Sequence, residues 1–145
     1  MVHSIGFLAC LSAMVSDSLE LDGSFTTFGL ATTDAERTRE FYENVLGLQL
    51  SFDDGMALVY KLNDRATLRV NRVDTYVALP FSSLGWWVTD ITEKLDKLKA
   101  AGVTIERYPR LDQDEQGIWN AGGTLLAWFK DPDGSLLWLG QAPTS

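Results

Sequence analysis

The chain has 145 residues, 46% of them apolar and 22% charged. These values match a soluble single domain and exclude a disordered tail, a collagen-like rod and a multispanning membrane protein. Asp and Glu number 20 against 12 Lys and Arg, a formal charge of −8, which argues against nucleic acid as a partner and favours encounters with cationic small molecules. The same charge also serves solubility. One cysteine, Cys10, permits neither an internal disulfide nor a cysteine zinc site, which favours a cytoplasmic location. The lone histidine is His3, ahead of any recognisable fold. No Ser-His-Asp or Cys-His arrangement can be built from it.

Residues 1–22 differ from the rest and read as a leader or extra segment. Ile5 to Val15 is an apolar run too short to span a bilayer, so no membrane partner is expected. No Lys or Arg precedes Arg37, so the basic region of a secretory signal is missing. Three alternatives stay open: a non-native leader, an upstream start with Met14 as the true initiator, or a short helix packed on the domain or on a second copy.

The remainder repeats one pattern twice. Phe25–Ala31 reads as a strand, and Thr33-Asp34-Ala35-Glu36 as a capping box opening a helix. Phe41, Tyr42, Val45 and Leu46 recur at helical spacing until Gly47 ends the helix. Extended runs follow at Gln49–Phe52, Ala57–Leu62 and Thr67–Val73, with a turn at Asp53-Asp54-Gly55. The second half begins with a strand at Leu84–Val88. Asp90 then caps a helix with Ile91, Leu95 and Leu98 as its apolar stripe, and Gly102 ends it. Val103–Tyr108 is extended. Ile118–Asn120 and Thr124–Lys130 flank a Gly122-Gly123 turn. Asp131-Pro132-Asp133-Gly134 is a hairpin turn leading to a last strand, Leu136–Leu139. The modules are residues 23–79 and 80–145, making one structural domain.

Asp34 followed by Phe41-Tyr42-Glu43-Asn44-Val45-Leu46-Gly47-Leu48 resembles the first-module signature of the vicinal-oxygen-chelate superfamily. That superfamily includes glyoxalase I, extradiol dioxygenases and bleomycin-resistance proteins. Trp128-Phe129-Lys130-Asp131-Pro132-Asp133-Gly134-Ser135 resembles its closing hairpin, and the resemblance runs from about Ser24 to Gln141. It implies an α+β fold: two tandem βαβββ modules forming a cupped mixed sheet, helices outside and a ligand cleft inside. It also implies four metal-ligand positions on the first and last strands of the modules. Transferred one at a time, these are Thr27, Arg69, Ser83 and Trp138. None is a good ligand for a divalent cation, and Arg69 is a fixed positive charge, so neither a metal nor another cofactor is expected.

Alternation then places Phe25, Gly29, Thr67, Asn71, Gly85, Trp87 and Leu136 on the same inward face, with Leu30, Trp86, Val88 and Leu139 toward the helices. Such a cleft suits a flat or amphipathic organic molecule, stacked on Trp87 and Trp138 and met by the Arg69 guanidinium. Two other readings stay open: the tryptophans fill the interior, or Arg69 pairs with an acidic side chain. The polar loop Pro109–Gln116 reads as solvated, or as a gate with Trp119 packed behind it. Asp112–Gly117 begins like a calcium loop, but Gln116 and Gly123 stand where ligands are needed.

The ligand-binding candidates are therefore Thr27, Arg69, Ser83, Trp87, Trp119 and Trp138, with no catalytic residue assigned. The function expected is binding of a small aromatic or cationic organic molecule. One alternative is a lyase, isomerase or dioxygenase with displaced ligands or no metal, using Arg69 as a clamp and Asp112 or Glu115 as acid or base. A weaker one is an accessory protein with a filled cleft. A homodimer is expected by analogy with the superfamily.

Overall fold

The computed structural model describes residues 18–144. The apolar run Ile5–Val15, His3 and Cys10 lie outside that range. Strand β1 (Thr26–Thr32) leads into helix α1 (Ala35–Arg39), which continues as a π-helical turn over Glu40–Val45. Strands β2 (Gln49–Asp53), β3 (Ala57–Asn63) and β4 (Ala66–Arg72) complete the first module. The second holds β5 (Leu84–Trp87), α2 (Ile91–Ala100), β6 (Trp119–Ala121), β7 (Thr124–Lys130) and β8 (Leu136–Gln141). Among the described residues these strands form two four-stranded mixed sheets with the same topology, β1-β4-β3-β2 and β5-β8-β7-β6. In each sheet the first strand runs parallel to the last and the remaining pairs are antiparallel. The fold is α+β, with the repeat read from the sequence.

Local signals explain most of the boundaries. Asp34 and Asp90 cap the two helices, accepting from the backbone N–H groups of Arg37 (3.2 Å) and Glu93 (3.1 Å). Gly47 and Gly102 close the helical segments with φ of +74° and +85°, a region that glycine enters without strain. The capping box at Thr33 is corrected. Asp34 caps alone, because the Thr33 hydroxyl and N–H both donate to Asp133 of the second module. Val103–Tyr108 makes one isolated bridge, Ile105 to Phe129, rather than a strand.

The π-helical turn is not legible from spacing. Leu46 N–H reaches back five residues to Phe41 O at 2.9 Å. This wider turn accommodates two consecutive buried rings that face different partners. Phe41 packs toward Phe129 of the second sheet, and Tyr42 stacks on Tyr60 of the first.

A continuous apolar cluster joins both modules, including Leu30, Leu58, Leu68 and Val70 from the first and Ile91, Leu95, Leu137 and Leu139 from the second. Leu30 and Leu139 are buried in it, and Trp86 and Val88 pack against it, which agrees with the alternation read from the sequence. The polar seam between modules is the β7–β8 turn. Asp133 Oδ1 accepts from Thr33 N–H (2.9 Å) and Thr33 Oγ1 (3.1 Å), with Arg37 at 3.4 Å. Its Oδ2 accepts from Thr38 Oγ1 at 3.3 Å. Burial works to raise the Asp133 carboxyl, but these hydrogen bonds and Arg37 outweigh it and hold the group below the usual carboxylate range. Asp131 accepts from Tyr42 Oη at 2.7 Å and from the N–H groups of Asp133 and Ser135. Here burial prevails and raises the carboxyl. Tyr76 Oη and Ser135 Oγ, 2.7 Å apart, extend the seam.

Tyr42→Phe removes one donor from a buried carboxylate. It is expected to cost about 1–3 kcal/mol in urea unfolding, and an unchanged midpoint would contradict this account of the seam. At the edge of the first sheet, Arg72 grips Asp53 through both η nitrogens, at 2.7 and 2.9 Å. That guanidinium and the Gly55 N–H lower the Asp53 carboxyl from 3.8 to about 2. A depressed folded pKa contributes stability that is full above 3.8 and lost as pH falls toward about 2. Asp53→Asn should therefore flatten the loss of thermal stability across that window and leave its shape above pH 5 unaltered.

Candidate functional site

The faces turned away from the helices differ sharply between the two sheets. On the first sheet the paired β1 and β4 positions of this face are small or polar, with Val59 of β3 and the exposed Phe52 of β2 beside them. Thr27 pairs with Thr67 in register, and their hydroxyl oxygens lie 3.2 Å apart. Gly29 lies opposite Arg69 and Ala31 opposite Asn71. Arg69 donates through Nη2 to Asp54 Oδ2 at 2.9 Å and through Nε to Asn71 Oδ1 at 3.2 Å. The same guanidinium, with the N–H groups of Met56 and Ala57, holds the Asp54 carboxyl below its usual range. Arg69 thus has the acidic partner that the sequence reading left open, and it leans toward the β2–β3 turn. The space over Gly29 stays empty: a Cβ there would meet nothing within 4 Å.

On the second sheet the corresponding face is an aromatic wall. Gly85 lies opposite Trp138, Trp87 opposite Gly140, and Trp128 directly opposite Trp138. Trp87 and Trp138 meet edge to face at 5.2 Å. Trp119 on the edge strand stacks on Trp128 at 6.3 Å, and Tyr108 meets the Trp128 ring edge-on at 5.6 Å. Two glycines make this packing possible. A Cβ on Gly85 would fall inside the Trp138 indole, and one on Gly140 would stand 2.6 Å from Trp138 and 2.8 Å from Trp87. Trp87 stays 64% exposed at the open end.

Ser83 immediately precedes β5, its N–H bonded to Leu136 O at 2.8 Å. Alternation puts its side chain on the aromatic side. Its Oγ is buried without a hydrogen-bond partner among the described residues. A buried hydroxyl in that state is costly unless something else meets it.

Trp87, Trp119 and Trp138, taken from the sequence, therefore share one surface, with Ser83 at its end. Thr27 and Arg69 lie on the other sheet, and no backbone pairing joins the two sheets among the described residues. Sequence reasoning misses Trp128 and Tyr108. Trp128 is absorbed into the closing-hairpin signature, although its two-residue offset from Leu126 and Lys130 places it on the wall.

The polar loop is held internally. Gln113 Nε2 donates to Glu106 O and Gly117 O, and Asp114 Oδ1 accepts from the N–H groups of Gln116 and Ile118. Arg107 donates to the carbonyls of Asp114 and Glu115 at 2.8 and 2.6 Å. Asp112 lines a depression with Thr92, Asn120 and Leu125, and Leu125 points to the opposite side of β7 from Trp128.

The family model described as Glyoxalase/Bleomycin resistance protein/Dioxygenase superfamily matches residues 24–139. No curated protein matches the chain in sequence. Among solved structures, the fold is similar to a glyoxalase/dioxygenase from Nostoc punctiforme, with TM-score 0.65 and 15% identity, covering 86% of this chain and 94% of that one. It is similar to TnmS3, an antibiotic binding protein from Streptomyces sp. CB03234, with TM-score 0.58 and 24% identity over 81% and 93% of the two chains. It is also similar to the fosfomycin resistance protein FosX from Listeria monocytogenes, with TM-score 0.62 and 17% identity over 80% and 90%.

Gly85→Ala forces the Trp138 ring off its seat. The expected cost is about 1–3 kcal/mol, with loss of the near-UV circular dichroism of the Trp87–Trp138 pair. In a Trp138→Ala background the same substitution should cost far less, and equal costs in both backgrounds would refute the close approach.

Proposed function

The chain belongs to the glyoxalase/bleomycin resistance/dioxygenase superfamily, and on that premise we propose that it binds a small aromatic organic molecule, cationic molecules included, without a metal. The aromatic wall of Trp87, Trp138, Trp128 and Trp119 carries this reading. Flat rings with one end open to solvent offer stacking area at low entropic cost. They also attract cations through their π faces, and the charge of −8 acts in the same direction.

The four positions that the family uses for a metal carry Thr27, Arg69, Ser83 and Trp138 here. Two hydroxyls, a guanidinium and an indole are a poor donor set for a divalent cation. Arg69 instead has a carboxylate partner in Asp54. The lyase, isomerase or dioxygenase alternative has less support. Its clamp, Arg69, is paired with Asp54; of its two candidate acids or bases, Asp112 lines the far side of β7 and Glu115 sits in the polar loop tied down by Arg107. A second copy of the chain fits as the group that closes the cleft. Phe25, 62% exposed, lies on the open face of the first sheet as Trp87 does on that of the second.

The test is titration with proflavine, a planar aromatic cation, followed by tryptophan fluorescence and calorimetry. Saturable quenching is expected, weakened about three- to tenfold by Trp138→Ala or Trp128→Ala. Native mass spectrometry after incubation with Zn²⁺, Mn²⁺ or Fe²⁺ should show no stoichiometric ion. One divalent ion per chain, or proflavine binding indifferent to both substitutions, would sink the reading.

A further inference from the structure

A cleft of about 410 Å³ lies on the helix side of the molecule, away from the inner sheet faces. Leu46 and Leu48, at the end of the π-helical turn, form one wall. Trp86 and Val88 form the second, Leu98 of α2 the third, and Phe129 the floor. Its size falls within the range of small-molecule sites, about 300–1,000 Å³. Leu46, Leu48, Trp86 and Val88 are only partly buried, so the core does not consume their apolar surface.

The charge at the rim runs against the rest of the protein. In a chain of net charge −8, the charged side chains lining this cleft are Lys94 and Lys97, with no carboxylate among the described lining residues. They stand one turn apart on the same face of α2. Glu93 lies 2.9 Å from the Lys97 ammonium and 4.0 Å from that of Lys94, so two positive charges share one negative partner. An apolar chamber with a surplus cation at its mouth is complementary to an apolar tail ending in an anion.

We propose that this cleft is a binding site for a small amphipathic carboxylate, the tail lying between Leu48, Trp86 and Leu98 and the carboxylate held by Lys94 and Lys97. The site is independent of the aromatic wall except at Trp87, which stands at the edge of both. Lys94 sets the depth of the head group, being the less exposed of the two lysines. Lys97 contributes chiefly charge.

Calorimetric titration of the full chain with decanoate, decanol and decyltrimethylammonium, each below its aggregation concentration, tests the assignment. Decanoate is expected to saturate at one per chain and to bind about fivefold or more tighter than decanol. The Lys94→Gln/Lys97→Gln double variant should bring decanoate down to the affinity of decanol, and both lysines are exposed enough for the fold to tolerate it. Leu46→Trp, which fills the chamber, should abolish binding of both. Three results would overturn the proposal: no saturable binding of decanoate, equal affinity for decyltrimethylammonium, or an unchanged affinity in the double variant. If Arg69→Gln weakens decanoate while the lysine variant does not, the carboxylate lies on the first sheet's inner face and this cleft is not its site.

Discussion

The carboxylate of Asp133 is the point on which the arrangement of the two modules depends. Its side chain is 3% exposed, and a charge so placed must be fully met by donors. Those donors come from the other half of the chain, from Thr33, Thr38 and Arg37. Holding the start of α1 against the β7–β8 turn sets Phe41 on Phe129 and Tyr42 on Asp131. The helical segment is thereby committed to joining modules, and the apolar cluster runs through both. The inner faces of both sheets are left turned outward from that junction. The cleft between the π-helical turn and α2 opens beside it.

The repeat preserves scaffold and diverges in what the scaffold displays. In both sheets a glycine on the first strand lies opposite a large side chain on the last, Gly29 opposite Arg69 and Gly85 opposite Trp138. In the second sheet the indole lies down over its glycine. In the first, Arg69 is drawn sideways to Asp54 and leaves Gly29 uncovered. One local geometry yields an aromatic floor in one module and an open polar trough in the other. Neither difference touches the neighbouring helix-side pairs, Leu30 with Val70 and Trp86 with Leu139, which lie in or against the same apolar cluster.

Features that rest on local chemistry are legible in the amino-acid sequence. The helix cap at Asp90, the glycines that end the helical segments and the alternation of faces each follow from a few neighbouring residues, whereas Thr33, which reads as part of the first cap, is drawn off to Asp133. The double repeat multiplies that signal. The candidate site is legible to the same depth, since Trp87 and Trp138 follow from alternation once the strands are placed. The π-helical turn is hidden, because residues 41, 42, 45 and 46 lie on one side of an α-helix as readily as of a wider one. The seam is hidden for another reason. Asp131 and Asp133 satisfy every requirement of a hairpin turn, and nothing nearby in sequence reveals that Tyr42 and Thr33 are waiting for them. Trp128 is concealed by its own usefulness as a fold marker.

That long reach has a consequence for biosynthesis. Thr33 and Asp133 are 100 residues apart, and Tyr42 and Asp131 are 89 apart. At ribosomal rates of about 5–20 residues per second, the first module waits roughly 5–20 s before its closing partner is made. Throughout that interval Phe41 lacks the Phe129 ring it packs toward and Tyr42 lacks the Asp131 acceptor for its hydroxyl. The nascent chain is obliged to carry an unfinished apolar surface, and contacts of such separation form slowly even after release. The polar seam that orders the finished protein is thus the last part of it that synthesis can complete.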